Sequence, residues 1–583
     1  EDLGFDQYAL VEGWQSLGTD PGNHSAHRFL ADTYARMPNS EVARASELLV
    51  SQLLQPINTL PVQPSLGERR PAYLTAADSL TPAFNEYAEL FVNDGLGLYG
   101  SGIVGENGTM GDELIVNGLY GTFAFSLGQY YEQTDGFREN DDIEQRIYDV
   151  FAQYSPSPAF SLQAEYRFNE AETGDIGARI DHAVYSPTYR QETERETVRV
   201  GARYSPASVW DVLVSGIYQD YTEDAIDESP VENPFPGASV EGAGSTEAYI
   251  GEGQVIAQFG WLDAIAGAGY LNSERNDSAV FDFGPFGPFP GPIVSVDEDR
   301  EEHLNAYAYT HIDLPGAIQL TTGLSGNRHD AEIRDLNRLN PKAGLTWQPA
   351  AGTTIRAAAF RTTSRILLSD LTLEPTHVAG FQQFYDDPVG SEAVRYGIGI
   401  DQHVGHCLMA GAEISRRDRE IPAEQSAPDG SSTVNIFEVE STTGRAYAYC
   451  TPLRRLALTT EYAYRQDEPQ QENTPIATQL ETHRVELGAS LFLPVGLTPR
   501  IRTTYIDQDG EFFDMMAGGF TGRGDEFWVV DAALGYHLPR RIGTFSIELR
   551  NVFDEEFNYQ EYDPLNSVVS EGRMLLAKFT AAF

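Results

Sequence analysis

Apolar and polar residues alternate along most of the chain after residue 95, and this alternation predicts β-strands. It is clearest in residues 160–168, where Phe, Leu, Ala, Tyr and Phe interleave with Ser161, Gln163, Glu165 and Arg167. The same pattern recurs in residues 198–204 and 318–325. A strand with this pattern has one apolar and one polar face.

Two kinds of connection separate these strands. The short ones are predicted at residues 155–158, 205–206, 313–316, 349–352, 403–405, 451–452, 493–496 and 538–539. The long ones, at 169–196, 223–246, 366–392 and 554–572, contain many acidic residues. Short turns on one side and long loops on the other are typical of outer-membrane barrels, with the short turns facing the periplasm. We therefore predict an all-β fold, a transmembrane antiparallel β-barrel of about 22 strands, with 20 as the alternative count.

Residues 1–60 follow a helical pattern instead. Apolar residues recur at helical spacing in residues 25–37 and 40–54, and Ser40 is a suitable N-cap for the second segment. This predicts a helical hairpin, which must end a longer helical array or pack on the barrel mouth to bury its apolar stripe. Residues 61–95 are predicted to be an extended linker, and residues 96–583 the barrel.

The last strand carries apolar residues on one face and ends in an aromatic residue. Phe579 and Phe583 lie on this face. A terminal aromatic residue in this position resembles the assembly signal read by the barrel-insertion machinery. The chain starts with Glu1, so we expect that a signal peptide has been removed.

The amino-acid composition and the net charge limit the possible functions of the protein. The content of Tyr 30, Phe 30 and Gly 54 against Met 6 favours strands, aromatic girdles and tight turns. A net charge of -48 argues against nucleic acid as a partner, because binding to phosphates needs clustered Lys and Arg. The same charge attracts cations to a pore or simply keeps the protein soluble in salt.

Candidate chemistry is sparse. Residues 100–105 match a dinucleotide-binding fingerprint in letters only, because no helix is predicted after them. Cys407 and Cys450 lie near short turns on predicted neighbouring strands and form a candidate disulfide. A metal site with His403 and His406 is disfavoured by strand geometry, and the acidic run 297–302 is interpreted as solvated. We predict no catalytic site, no metal site and no cofactor.

Four segments of the chain resemble known barrel proteins. Residues 551–557 (NVFDEEF) and 340–347 (NPKAGLTW) resemble TonB-dependent receptors, which are large barrels with an internal plug. The chain leaves no room for a plug of the usual size, and no energy-coupling box is found near Glu1. The helical hairpin and residues 373–381 (LEPTHVAGF) resemble barrels preceded by tetratricopeptide repeats, whose relatives include exopolysaccharide export pores. In that layout the repeats bind a periplasmic partner.

These observations predict a pore that moves a solute or polymer across the outer membrane of a Gram-negative bacterium. Polar side chains on the inner face, such as Glu165, Arg167, Arg199 and Arg203, would line the lumen. The expected partners are lipid, lipopolysaccharide, the insertion machinery and a periplasmic protein bound by the helices. The alternative is an anchor whose loops or helices recruit another protein. A lumen this wide needs blocking, by inward-folding loops or by a separate plug chain.

Overall fold

The structure is a computed structural model. It describes residues 3–35, 37, 45–63, 72–73, 91, 93–179, 181, 185–230, 237–285, 287, 291–331, 334–405, 407–426, 432–470, 479–514, 519–560, 568–569 and 572–583. The predicted N-cap Ser40 and most of the predicted linker lie outside these ranges.

The barrel is closed and contains 22 antiparallel strands, which confirms the predicted fold class and the larger strand count. The first strand, β1, pairs with both β2 and the last strand, β22, so that no edge is left open. The strands are β1 Gly95–Gly105, β2 Met110–Tyr120, β3 Phe123–Thr134, β4 Ile143–Ser157, β5 Phe160–Thr173, β6 Arg190–Ala207, β7 Trp210–Asp227, β8 Ser239–Gln258, β9 Leu262–Asp282, β10 Ile293–Leu314, β11 Ile318–Asp330, β12 Leu336–Ala350, β13 Thr353–Thr363, β14 Glu392–Val404, β15 Leu408–Ser426, β16 Ser432–Leu453, β17 Leu456–Pro469, β18 Gln479–Leu491, β19 Leu497–Asp514, β20 Gly519–His537, β21 Gly543–Arg550 and β22 Met574–Ala582.

The two faces of the wall differ as the alternation predicts. On β6, Val198 and Val200 are 44% and 56% exposed, whereas Arg199 between them is 2% exposed. An outward apolar side chain meets lipid, and an inward polar side chain meets the contents of the lumen. The alternation along each strand therefore assigns an inner and an outer side to the wall.

Several strands are longer than their sequence pattern indicates. Strands β9 and β10 are the clearest examples, with 21 and 22 residues. The acidic run 297–302, which we interpreted as part of a solvated loop, lies in β10 and pairs with β9. The assignment to a loop is wrong, whereas Asp297 and Glu298 are exposed, as expected of a solvated run. Charged strands can pair above the membrane, where water surrounds their side chains.

Three α-helices precede the barrel in the described part of the chain, namely α1 Asp6–Thr19, α2 His24–Tyr34 and α3 Ala45–Leu54. Sequence periodicity indicated α2 and α3 but missed α1. The side chain of Asn23 caps α2 by accepting a hydrogen bond from the amide of Ala26 at 3.1 Å. Among the described residues, no helix has the length and hydropathy needed to cross a bilayer.

Small elements complete the fold. A parallel pair joins Ala72–Tyr73 to Val568–Val569, and a short hairpin joins His377–Val378 to Phe381–Gln382. Short 3-10 turns occur at Leu368–Asp370 and Pro539–Arg541. The hairpin at residues 377–382 belongs to the connection between β13 and β14, which is important for the lumen.

Candidate functional site: the occluded lumen

Helix α1 lies inside the barrel, close to the short turns. The amide groups of Gln319 and Gln258 donate to the carbonyl of Gly18 at 2.6 Å and to Asp20 at 2.5 Å. Gln319 follows the turn between β10 and β11, and Gln258 precedes the turn between β8 and β9. At the other end of α1, the Phe5 ring stacks on Tyr449 with centroids 4.8 Å apart. The helix therefore spans the lumen at its short-turn end.

Helix α3 packs on the wall formed by β4 to β7. Gln153 and Gln55 exchange two hydrogen bonds of 3.0 and 3.1 Å, and Gln163 donates to the carbonyl of Gln52 at 2.6 Å. Leu49 and Leu53 lie in the same buried apolar cluster as the wall residue Leu213. These contacts join helix and wall mainly through neutral amides and apolar groups.

The four predicted lumen residues all lie on the inner face of β5 and β6. Arg199 donates to Glu165 from Nε at 2.9 Å, and Arg167 contacts Glu165 at 2.9 Å and Asp149 at 3.0 Å. Arg203 pairs with Asp211 at 2.8 Å, near the C-terminal end of α3. Side chains paired so closely hold the wall together and support α3, so a role in selectivity stays a prediction.

The connection between β13 and β14, residues 364–391, folds into the lumen, and we call it the inner loop. Of these residues, all of which are described, only Pro388 is exposed. The apolar residues Leu371, Leu373 and Phe381 join the cluster that contains α3 and the wall. One of the long connections that we predicted to face outward, residues 366–392, is thus part of the barrel contents, in keeping with the expectation that inward-folding loops block the lumen.

One buried charge cluster holds the inner loop. The Glu374 carboxylate accepts hydrogen bonds from Arg365 at 2.9 Å, from the Tyr309 hydroxyl at 2.9 Å and from Asn305 at 3.3 Å. The Lys342 ammonium group lies 3.9 Å away. Burial alone raises the pKa of a carboxyl group, but the Arg365 and Lys342 charges prevail and lower the pKa of Glu374 to about 2. Glu374 therefore stays ionised in the lumen.

Two more wall residues hold the loop by its backbone. Glu252 accepts hydrogen bonds from the Thr372 hydroxyl at 2.7 Å and from the Leu373 amide at 3.0 Å. Gln219 accepts from the Ser369 amide at 2.9 Å and from its hydroxyl at 3.0 Å. These residues lie on β8 and β7, so the loop crosses the lumen from its own strands to the neighbouring wall.

The inner loop also contacts the helices directly. The amide of Thr376 donates to Ser46 at 3.0 Å, and its hydroxyl donates to Glu47 at 2.5 Å. Gln382 donates to the Tyr34 hydroxyl at 2.7 Å. Burial lowers the pKa of His377 to about 3 and raises the pKa of Glu47, and His377 Nε2 lies 3.8 Å from a Glu47 carboxyl oxygen. Helices and loop form one continuous obstruction, which we call the plug.

The wall opposite α3 is rich in arginine. Its members lie on the inner face of β14 to β19 and are mostly half-buried, namely Arg395, Arg417, Arg419, Arg445, Arg465, Arg484, Arg500 and Arg502. We call this set the arginine wall. Its ion pairs include those of Arg465 with Asp467 at 3.0 Å and of Arg484 with Glu486 at 3.2 Å. These guanidinium groups place positive charge along the lumen of a chain whose net charge is -48.

The other predicted residues lie away from the plug. The Cys407 and Cys450 thiols are free, with sulfur atoms 3.1 Å apart beside the turns of β14 to β17. Phe579 is 47% exposed on the outer face of β22, and the backbone of Phe583 exchanges two hydrogen bonds of 2.8 Å with Leu98. The disulfide and the assembly signal both stay predictions.

Comparison with known proteins agrees with this architecture. The family described as TonB dependent receptor-like, beta-barrel matches residues 130–389, from β3 through most of the inner loop. These residues are similar to TonB-dependent-receptor-like β-barrels. No curated protein sequence matches the chain.

Solved structures share the receptor-like barrel at low sequence identity. The copper transporter OprC is 13% identical with a TM-score of 0.65, and the match covers 85% of this chain and 81% of that chain. The FrpB iron transporter from Neisseria meningitidis is 12% identical with a TM-score of 0.64, covering 84% and 82%. The ferric citrate transporter FecA in the unliganded form is 15% identical with a TM-score of 0.62, covering 84% and 79%. These similarities establish the fold of the receptor-like barrel.

Proposed function

We propose that this protein is a gated transporter in the outer membrane of a Gram-negative bacterium, closed at rest by its own plug. The observation that carries the proposal is the continuous contact of the helices, the inner loop and the wall, from Phe5 at one side to Ser369 at the other. A transporter needs a polar lumen that a movable plug can close. A protein that is only an anchor does not need one. The structural neighbours named as transporters of copper, iron and ferric citrate support the proposal.

The contacts of the plug suggest how it opens. The helices are held by amide hydrogen bonds that water can replace at little cost and by the apolar contacts of α3, whereas the inner loop is held mainly by the Glu374 cluster. A ligand that competes for the loop, or a periplasmic partner that moves the helices, would therefore loosen both elements and open the path. Glu12 and Thr19 of α1 are exposed at the short-turn end and are accessible to such a partner.

The arginine wall favours an anionic solute. Guanidinium groups bind carboxylates and phosphates through paired hydrogen bonds, and the field inside a narrow lumen concentrates counter-ions. We propose that the transported solute carries negative charge. The layout with tetratricopeptide repeats remains a further proposal, in which segments preceding α1 would bind the periplasmic partner.

Planar-bilayer conductance tests the gate. We expect wild-type protein to insert without conducting, and Glu374→Ala to open frequently, because Arg365 and Lys342 would lose their buried counter-charge at a cost of about 3–5 kcal/mol. Glu228→Ala, which removes an exposed carboxylate, is the matched control and should stay closed. Steady wild-type openings would show an open porin, and a silent Glu374→Ala barrel that is correctly inserted would favour an anchor.

A further inference from the structure

Three side chains on the inner face of β10 and β11 converge at a point that the plug contacts do not use. Glu301 and His303 lie two residues apart on β10, and His329 lies directly opposite His303 in the strand register. Their exposed fractions are 5%, 2% and 2%. The pleat aims all three side chains to the same side of the wall.

The potential ligand atoms are already close together. One ligand atom from each residue lies within 4.8 Å of the others, and Glu301 Oε1 is 3.2 Å from His329 Nδ1. In a tetrahedral site with bonds of about 2.1 Å, neighbouring ligand atoms are about 3.4 Å apart. The remaining distances close by small rotations of the imidazole rings, whose centroids are 5.6 Å apart.

Apart from the 3.2 Å approach of Glu301 Oε1 and His329 Nδ1, the same atoms have no hydrogen-bond partner among the described residues. Glu301 Oε1, His303 Nδ1 and His329 Nδ1 are all buried and unsatisfied. Buried polar atoms in proteins are nearly always bonded, so three such atoms that face each other call for a common partner. A cation that accepts one lone pair from each would satisfy all three at once.

A fourth residue orients one of the ligands. The Asn327 carbonyl oxygen lies 3.0 Å from His303 Nε2. Because that oxygen cannot donate, the Nε2–H group of His303 donates the hydrogen bond to it. The neutral His303 ring then carries its free lone pair on Nδ1, on the side of Glu301 and His329. Metal-binding histidines are commonly held by such a hydrogen bond from the second ring nitrogen.

We propose that Glu301, His303 and His329 bind a divalent transition-metal ion on the inner wall of the barrel. Two imidazole nitrogens and one carboxylate oxygen suit Zn²⁺, Co²⁺, Ni²⁺ or Cu²⁺ and are poor ligands for Ca²⁺ or Mg²⁺. Three protein ligands leave a coordination position for water or for a ligand entering from the lumen. The proposal is independent of transport, because the site is complete within the wall.

Metal titration of the purified full chain tests this site. After treatment with a chelator, we expect one Co²⁺ per chain, with the visible absorption of a coordinated ion, and competition by Zn²⁺ but not by Ca²⁺. The variants His303→Ala and His329→Ala should weaken binding by more than 100-fold, and Asn327→Ala by about 10–100-fold. His311→Gln is the matched control, because His311 shares the inner face of β10 but bonds Thr321 at 3.1 Å.

Two results of the titration would overturn the proposal, and a spectroscopic result would be a third. One is the absence of saturable Co²⁺ binding by the wild-type protein, which would leave the three residues as a buried polar cluster. The other is an equal loss of binding in His311→Gln and in the ligand variants. Because a ligand variant can also misfold, X-ray absorption of the wild-type protein with Zn²⁺ gives a second readout, and a spectrum without imidazole ligands would likewise refute the site.

Discussion

Glu374 lies fully buried between two cations and a hydroxyl group, in the middle of the lumen. Its position shows how one side chain couples the path of a loop to the wall, because Arg365 belongs to the loop whereas Lys342 and Tyr309 belong to strands. A charge in such a place is costly to bury and costly to leave unpaired. The carboxylate, more than the loop backbone, therefore determines when the inner loop can leave the wall.

Acidification should release the inner loop only at very low pH. The pKa of Glu374 falls from its usual value of 4.5 to about 2, so the folded state favours the ionised form. The stabilisation, about 3 kcal/mol, is complete above pH 4.5 and is lost as the pH falls towards 2. Hydrogen exchange of the inner-loop amides as a function of pH measures the release of the loop. Release already at pH 6 would contradict the assignment of Glu374 as the controlling group.

Oxidation should link Cys407 to Cys450. Their sulfur atoms are 3.1 Å apart, and the residues are separated by 43 positions in the chain. Chain entropy predicts a stabilisation of about 3–4 kcal/mol for a loop of this length. Alkylation followed by mass spectrometry should find no reactive thiol in the exported protein and one in Cys450→Ser. A fully alkylated native protein would refute the disulfide.

The inner loop and the helices depend on each other as elements. Neither has a separate core, since Leu49 and Leu53 of α3 pack in the same cluster as Leu371 and Phe381 of the loop. The two elements also approach closely at Gly380, whose φ is +84° and where an added Cβ atom would meet Arg356 Nη1 at 2.5 Å and the Trp14 ring at 2.6 Å. A perturbation of either element should therefore loosen both.

The variant Gly380→Ala should separate the hairpin at residues 377–382 from α1. The expected effect has two parts, a backbone cost of about 1–2 kcal/mol for positive φ and a clash with Trp14. Gly260→Ala isolates the first part, because Gly260 has φ +85° and nothing lies within 4 Å of its added Cβ atom. Hydrogen exchange should show reduced protection of the inner loop in Gly380→Ala alone. Equal protection in both variants would show that the close approach does not hold the plug.

At the scale of the whole molecule, arginine side chains line part of the interior of an acidic chain. The chain has a net charge of -48, while the arginine wall runs along six adjacent strands, β14 to β19. Ions inside a pore respond to the groups that line it more than to distant surface charge, which salt screens. The groups that line the lumen therefore determine the ion selectivity of an opened barrel.

An opened barrel should prefer anions. In the Glu374→Ala background, reversal potentials in a salt gradient should indicate anion selectivity, and adding Arg465→Gln with Arg484→Gln should shift the potential towards cations. Arg416→Gln is the matched control, since Arg416 precedes the inward Arg417 on β15 and points to the other face. Cation selectivity before any arginine is changed would contradict the anionic-solute proposal.

Sequence periodicity predicted the barrel well because each strand separates two environments. Alternation at residues 160–168 is enough to identify a strand, and the short turns identify its neighbours. Helix α1 was missed because Gly13 and Gly18 interrupt its apolar face, at points where Leu30 and Gln319 approach closely. The local sequence pattern contains no information about contacts with distant strands.

The lumen was harder to predict for the same reason. The route of the inner loop depends on Glu252 and Gln219, which lie more than 100 residues away along the chain. The cluster of Glu301, His303 and His329 becomes visible only when the register of β10 and β11 is known. The alternating Glu301 and His303 were a usable signal, but their run of acidic neighbours led us to interpret the segment as a solvated loop.

The position of the helices before every strand has a consequence for assembly. The contact between the Gln7 amide and the Tyr449 hydroxyl joins residues 442 positions apart. Contacts between residues so far apart in the sequence form late and slowly, because the chain between those residues must first fold. The apolar faces of the helices therefore stay exposed until β1 pairs with β22 and the barrel closes around them. Export of this protein should thus depend on a chaperone that shields the apolar faces of α1 and α3 until then.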